Sequence, residues 1–501
     1  MAATSGLTVS PGIYDSRSPW ALSWPLVLGL AIFVFLNNAR GLPLLADPDS
    51  HWHIAVGQWI LAHRDVPTVD VYSFTFTGQP WIAKEWLSQV ALAVAYELGG
   101  WGGVTSLSAG ALGVTYAVLL RLLLRDIKPL PAILFTAAAA IMTAPHFLAR
   151  PHVLAFPVML IWVAGLVRAV EERRAPGPLL LLAMLLWANL HGGFTLGLLL
   201  VGAFALDALV GARDVAERRA LFVAWLKFGI AAVLVACITP YGYESILVTM
   251  RIFSLGDALG TIAEWKSPNF QNQPMQELML LVALYVALSR GLKVPLVRLL
   301  IVIGLVHLFL RYARNAELLA MLTPLVLAPV IVRQFPSLRF DPVAPADHAL
   351  ARRMRDLGLP AGIGAVVAGL ALAGAFAVGM IRHADIGPPA ANAPTAALEF
   401  ARQHDLTGRV FNHYGFGGFL IGAGVPTFID GRGELFGGDF IKSYVRAVAL
   451  RGEEPFDAML DRYRIDWTLL ASDQAANKLL ARLPGWREAY RDDVAVIFVR
   501  R

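Results

Sequence analysis

LLADPDSHWHIAVGQWIL, Leu44 to Leu61, follows the first long apolar run and sets two aspartates and two histidines among tryptophans. Asp47-Pro48-Asp49 ends an extended segment, because the residue before a proline avoids the α region. Asp49 or Ser50 can then cap a helix running through His51 to His63. Trp52, Ile54, Ala55, Trp59, Ile60 and Leu61 make that helix amphipathic, as expected of one lying on a membrane surface. Asp49 and His53 share a face at i,i+4, whereas His51 and His53 do not. The acidic pair reads as helix cap and turn, or as working carboxylates at a site. A zinc site from Asp47, Asp49, His51 and His53 is a third reading, without the i,i+4 histidine spacing of helical zinc motifs.

The chain around this stretch belongs in a membrane. Of 501 residues, 57% are hydrophobic and 16% charged, with a mean hydropathy of +0.60; soluble domains carry about 25% charged residues. The net charge of +6 does not point to nucleic acid, because the basic residues fall in short loops between apolar runs and set orientation instead. Cys237 is the only cysteine, which excludes an intramolecular disulfide and a Cys-based metal site.

Eleven spans are predicted, at 20–38, 103–124, 130–146, 153–169, 178–190, 193–211, 222–240, 275–289, 295–312, 316–333 and 361–381. The first has no A-x-A-like cleavage site and is read as retained. The segment 86–99 is short, carries Glu97 and stops at Gly99-Gly100, so it reads as an interfacial helix. Basic loops then all fall on one side: Arg121, Arg125 and Lys128; Arg168, Arg173 and Arg174; Arg213, Arg218 and Arg219; Arg290, Lys293 and Arg298; Arg339, Arg352, Arg353 and Arg355. The N-terminus is cytoplasmic on this reading, and the chain after about residue 382 lies outside. The expected fold is an all-α polytopic membrane domain of about 11 transmembrane helices, residues 1–382 with a first outer loop at 40–100. A small α/β domain follows at 383–501. There GRVFNHY, GGFLIGA, PTFIDG, DWTLLAS and VAVIFVR read as strands, and TAALEFARQH and FIKSYVRAVAL as helices.

Polar residues collect on the outer side. The first loop holds Asp47, Asp49, His51, His53, Asp70, Lys84 and Glu85. Later outer segments add His146, Arg150 and His152, then Asn189 and His191, then Tyr241, Tyr243 and Glu244. Glu264, Trp265 and Lys266, with Arg311, Tyr312, Arg314, Asn315 and Glu317, complete the set. Charges at membrane depth cost roughly 2.5–3.5 kcal/mol on insertion scales, so they mark sites. The tryptophans and tyrosines serve equally as interfacial anchors, and Arg311 and Arg314 as snorkels. An outer arginine pair runs against the positive-inside bias, however, and a lipid phosphate would supply the reason.

An acidic pair in the first outer loop, followed by surface helices and a multi-span bundle, resembles the GT-C fold of membrane glycosyltransferases. These include the protein O-mannosyltransferases and the lipid A aminoarabinose transferase. DPDSHWHIAVGQWILAH, VPTVDVYSFTFTGQPWIAKEWLSQV, FNHYGFGGFLI and PTFIDGRGELFG further resemble a group of bacterial multi-span proteins assigned to that fold. The resemblance implies transfer of a sugar from a polyprenyl-phosphate donor to a glycan, lipid or protein acceptor at the outer face of the inner membrane. It implies Asp49 as general base, Asp47 in support, and a divalent cation (Mg or Mn) on Asp47 and Asp49 if a metal is used. Pro48 separates two acids that stand side by side in the protein O-mannosyltransferases. Candidate substrate-binding residues are His53, Glu85, Arg150, His152, His191, Glu264, Arg311 and Arg314.

In the tail, the glycines of HYGFGGFLI and FIDGRGELFGG serve as turns between strands, or let backbone approach a glycan. On the second reading His413, Tyr414, Asp430, Arg432 and Glu434 border the acceptor. No Gly-x-Gly-x-x-Gly or P-loop follows a strand to bind a soluble nucleotide sugar. An oligosaccharide transferase or ligase of the same fold is a second enzyme reading, and a transporter or flippase of polyprenyl-linked sugars is the alternative class. Clean apolar span centres and the lack of an internal repeat argue against it.

Overall fold

The computed structural model describes residues 18–38, 43–253, 255–256, 260, 265–341, 348–383 and 386–501. The membrane part begins with α1 (Trp24–Asn38), α2 (Ser50–His63), α3 (Trp86–Leu123), α4 (Pro129–Thr143), α5 (Pro151–Glu171), α6 (Leu181–Leu190) and α7 (Phe194–Val210). It continues with α8 (Val215–Ala236), α9 (Glu244–Phe253), α10 (Pro274–Ser289), α11 (Leu296–Arg311), α12 (Ala316–Gln334), α13 (Ala349–Gly358) and α14 (Ile363–His383). Each predicted span overlaps one of these helices. Among the described residues six helices are long and apolar enough to cross a membrane: α3, α4 with its following turn, α5, α8, α12 with its preceding turn, and α14.

Local chemistry explains the boundaries. Proline opens α4, α5 and α10, where the missing N–H costs nothing. Asp214 caps α8 by accepting the Glu217 N–H at 2.7 Å. α3 is broken at Gly99 (φ −158°) and Gly100 (φ +54°, ψ −145°), so Trp86 to Leu98 is a separate helix, as the glycine pair predicts. Gly103 then lets the second half pass against the Ala95 carbonyl, where a Cβ would collide.

The two ends of the bundle differ in chemistry. At one end the basic loops meet: Lys128 N–H donates to the Leu338 carbonyl at 2.8 Å, Arg173 to Gly211 at 3.1 Å, and Lys293 N–H to the Gln334 side chain at 2.9 Å. Arg298, read above as a loop residue, is buried. α11 starts at Leu296, so Arg298 points inward and pairs with Glu171 (2.5 Å) and Asp207 (2.9 Å). At the other end lie α2, the first half of α3 and the segment 144–152, joined by the Ala149 N–H to the Leu44 carbonyl at 2.7 Å.

Residues 395–501 build helices α15 (Thr395–Gln403), α16 (Gly417–Gly422), α17 (Gly433–Val448), α18 (Phe456–Arg462) and α19 (Ala475–Leu480) around a sheet. Its strands are β1 (Val410–Asn412), β2 (Trp467–Ala471), β3 (Trp486–Arg491) and β4 (Ala495–Arg500), in the order β1-β2-β4-β3. β1 pairs β2 in parallel, and the other pairs are antiparallel. GGFLIGA forms α16 instead of a strand, because Gly417 and Gly418 let a short helix sit against the backbone of Asp430 and Pro48. PTFIDG pairs with the first outer loop instead of the sheet: Phe74 N–H donates to Thr427 and Thr427 N–H to Tyr72, each at 3.1 Å. Phe74 and Phe76 of that loop join the core of the C-terminal unit, Phe76 lying 5.1 Å from both Phe436 and Phe440.

Candidate active site

Asp47 and Asp49 flank Pro48 at the start of α2. Asp47 Oδ1 accepts the Asp49 N–H at 2.7 Å, closing a tight turn. Asp49 stands at the N-cap position, but its side chain makes no cap hydrogen bond. Its Oδ2 instead accepts from Arg150 Nη2, while Arg150 Nε lies 3.2 Å from Asp47 Oδ2. One guanidinium therefore spans both carboxylates. Ser50 Oγ donates to the Ala149 carbonyl at 2.9 Å, fastening the start of α2 to the segment that carries Arg150. That bridge sets one positive charge between the two carboxylates. Among the described residues no group of three or more His, Cys, Asp or Glu could hold a metal ion.

Beside this triad is a ring of partly buried titratable groups. His53, one turn into α2, is buried. Its Nδ1 contacts Gln89 Nε2 at 3.2 Å, and its Nε2 lies 4.0 Å from Glu85 Oε2. His191 Nε2 approaches the other Glu85 oxygen at 3.4 Å. His152 and His146 share Glu317 Oε1, at 3.3 and 3.7 Å, and the His152 and His191 rings are 6.2 Å apart. Burial pushes His53 and His191 well below the usual imidazole range, with nearby cations adding to it, and raises Glu85. Lys84 pairs with Glu434 at 2.6 Å. Burial opposes the charged form of Lys84, but Glu434 and Glu85 outweigh it and hold its pKa above the ordinary value. Arg314, stacked 4.7 Å over Trp265, adds positive field at Lys84, Glu85 and His191.

The structure thus draws Asp47, Asp49, His53, Glu85, Arg150, His152, His191 and Arg314 together from α2, α3, α5 and the α6–α7 and α11–α12 turns. Lys84, Glu317 and Glu434 complete the cluster. Lys84 and Glu317 were visible as outer-side charges, but their pairings were not. Arg311 is exposed and 5.8 Å from the Tyr312 ring. Glu264 lies outside the described residues. His51 lies edge-on to Trp101 and Phe419 under Gly422, and burial drives its pKa down to about 4.

Of the acceptor-side candidates, only Glu434 reaches the cluster. Asp430 and Arg432 are fully buried, and Arg432 is committed to Asp430 (2.7 Å) and Asp70 (2.6 Å) beneath the faces of Tyr72 and Trp81. His413 packs on Phe416 at 5.0 Å and its electrostatic neighbour is Asp473; the Tyr414 N–H donates to Tyr444 Oη at 3.0 Å. Both belong to the end of β1.

No protein-family model matches the sequence, and no curated protein matches it. In shape the chain is similar to ArnT from Cupriavidus metallidurans. The form bound to undecaprenyl phosphate superposes with a TM-score of 0.51 at 14% identity, covering 95% of this chain and 97% of that one. The apo form gives 0.51 at 16% identity, over 94% and 96%. The likeness spans the membrane bundle, the first outer loop and the C-terminal unit, and on it the chain has the GT-C fold.

Proposed function

We propose that this chain is a glycosyltransferase that uses a polyprenyl-phosphate sugar, with Asp49 as the general base. The observation that carries the reading is the Asp47–Arg150–Asp49 bridge set among Lys84, Glu85, His191 and Arg314, at the bundle end opposite the basic loops. Binding of undecaprenyl phosphate by a protein of similar fold supports the donor class. Arg150 fixes the direction of the Asp49 carboxylate. An acceptor hydroxyl, on a glycan, lipid or protein, gives its proton to Asp49 as its oxygen attacks the anomeric carbon. The bond from that carbon to the phosphate oxygen breaks with inversion, and the polyprenyl phosphate leaves with the electron pair. Lys84 and Arg314 stabilise the charge that develops on it. Basic loops at the far end fit a cytoplasmic face and support the reading that the chemistry takes place at the outer face of a bacterial inner membrane.

The test compares wild type, Asp49→Asn and Asp47→Asn with a panel of polyprenyl-phosphate sugars, following transfer and undecaprenyl phosphate binding separately. Asp49→Asn is expected to lose at least about 10²-fold in transfer while still binding the lipid. Undiminished transfer by Asp49→Asn removes it as the base.

A further inference from the structure

We propose that the segment Asp430–Glu434 is a working wall of the catalytic site, and that Arg432 is the positioning residue that holds it there. The inference rests on Asp49 as the working carboxylate. Five consecutive residues of the C-terminal unit make three separate contacts with the first outer loop. Arg432 joins Asp70 across 362 positions of sequence, fully buried between two carboxylates and two aromatic faces. Gly431 lies on Asp49, so close that a Cβ would collide with Oδ1; Oδ2 belongs to Arg150. Glu434 pairs with Lys84 at 2.6 Å.

The backbone at Gly431 is therefore the surface over Asp49 Oδ1, and glycine is what the contact admits. Arg432 spends its guanidinium on Asp430 and Asp70. It acts by fixing the backbone on each side of itself: its own N–H donates to Asp430 Oδ1 at 3.0 Å, and the Asp430 side chain is further fixed by Thr427 Oγ1 at 3.0 Å. Thr427 in turn pairs with Tyr72 of the first loop. This chain of contacts ties the seating of the whole C-terminal unit to the aim of one carboxylate.

Full-length Gly431→Ala and Arg432→Lys are purified with wild type. Four quantities are measured: kcat and KM with the active donor, binding of undecaprenyl phosphate, and hydrogen exchange. Each variant is expected to lose about tenfold or more in kcat through misplacement of Asp49, with lipid affinity close to wild type. Exchange is expected to rise at Asp49–His53 as well as at Asp430–Glu434. Gly431→Ala keeps the clamp, so it decides the matter if Arg432→Lys fails to fold. Wild-type turnover by a folded Gly431→Ala, or exchange at Asp49–His53 that matches wild type in both variants, overturns the proposal. If wild type transfers sugar from no donor, the glycosyltransferase reading falls, and the exchange pattern alone still decides whether this segment positions Asp49.

Discussion

At the scale of single residues, the arrangement around α2 is governed by which side chains have a charged partner once they are shielded from water. Arg150 keeps 15% of its side-chain surface and spans two carboxylates that would otherwise repel. Removing one partner of a fully buried pair costs about 3–5 kcal/mol, and this partly open bridge should cost nearer about 2 kcal/mol. Arg150→Met is therefore expected to lower the thermal midpoint of the purified protein, and Asp47→Asn in the same chain to recover part of the loss. Simple additivity of the two changes would mean that the bridge contributes no coupling. His51 makes a pH-dependent contribution of a different kind. Burial lowers its pKa from 6.5 to about 4, so between those values the unfolded chain binds more protons than the folded one. That contribution is intact above pH 6.5 and is lost as the pH falls toward 4. His51→Phe, which keeps the edge contacts to Trp101 and Phe419, is expected to flatten the fall in thermal midpoint between pH 7 and 5. An unchanged slope would assign the acid sensitivity to other groups.

Between elements, backbone proximity decides what can be substituted. α2 crosses the first half of α3 at Gly57, where a Cβ would run into the Gln89 carbonyl and the Ala93 methyl. The obstruction is backbone, which cannot rotate away, so Gly57→Ala is expected to destabilise by about 2 kcal/mol or more. Gly202, in α7, has nothing within 4 Å of a built Cβ. Gly202→Ala is expected to be neutral or to stabilise by up to about 1 kcal/mol. Equal midpoints for the two variants would show that α2 and α3 do not touch as described. The same local physics marks what sequence could show. The Gly99-Gly100 break and the helices of the bundle follow from glycine conformation and apolar run length, and β2 and β4 from short apolar β-rich runs. β3, WREAYR, was hidden because an edge strand alternates polar residues and makes no apolar run. α16 was misread as a strand because its burial comes from glycines lying on another element's backbone, a contact no pattern within the segment reports. At the site, outer-side position brought Asp49, His53, Arg150 and His191 into one candidate set. The commitment of Asp430 and Arg432 to Asp70 depends on a fold that closes 362 residues, beyond the reach of local pattern.

Across the whole molecule, the first outer loop ties the membrane bundle to the C-terminal unit, and this requires Trp86 to Leu98 to lie across one end of the bundle. One end of that helix is held at the candidate site and the other at the end of α14. Trp86 Nε1 donates to Asn189 at 2.8 Å and Ser88 Oγ to the Leu190 carbonyl at 2.8 Å, while Gly99 and Gly102 rest on Ile381 at the far end of α14. α14 begins at the opposite end, where the Ala365 N–H donates to the Pro19 carbonyl and Trp24 reaches the Met354 carbonyl among the basic loops. Asp65 and Glu97 therefore belong on one face, and Lys293 on the other. With Cys237 replaced by alanine, single cysteines at the exposed positions Asp65, Glu97, Lys293 and Asp473 can be tested with a membrane-impermeant maleimide on intact cells. Positions 65, 97 and 473 are expected to react directly, and position 293 only after permeabilisation. Opposite behaviour of 65 and 97 would make Trp86 to Leu98 a span and turn every later loop over. The site would then be divided between two faces of the membrane, which Lys84–Glu434 at 2.6 Å and Glu85–His191 at 3.4 Å do not permit in a folded chain.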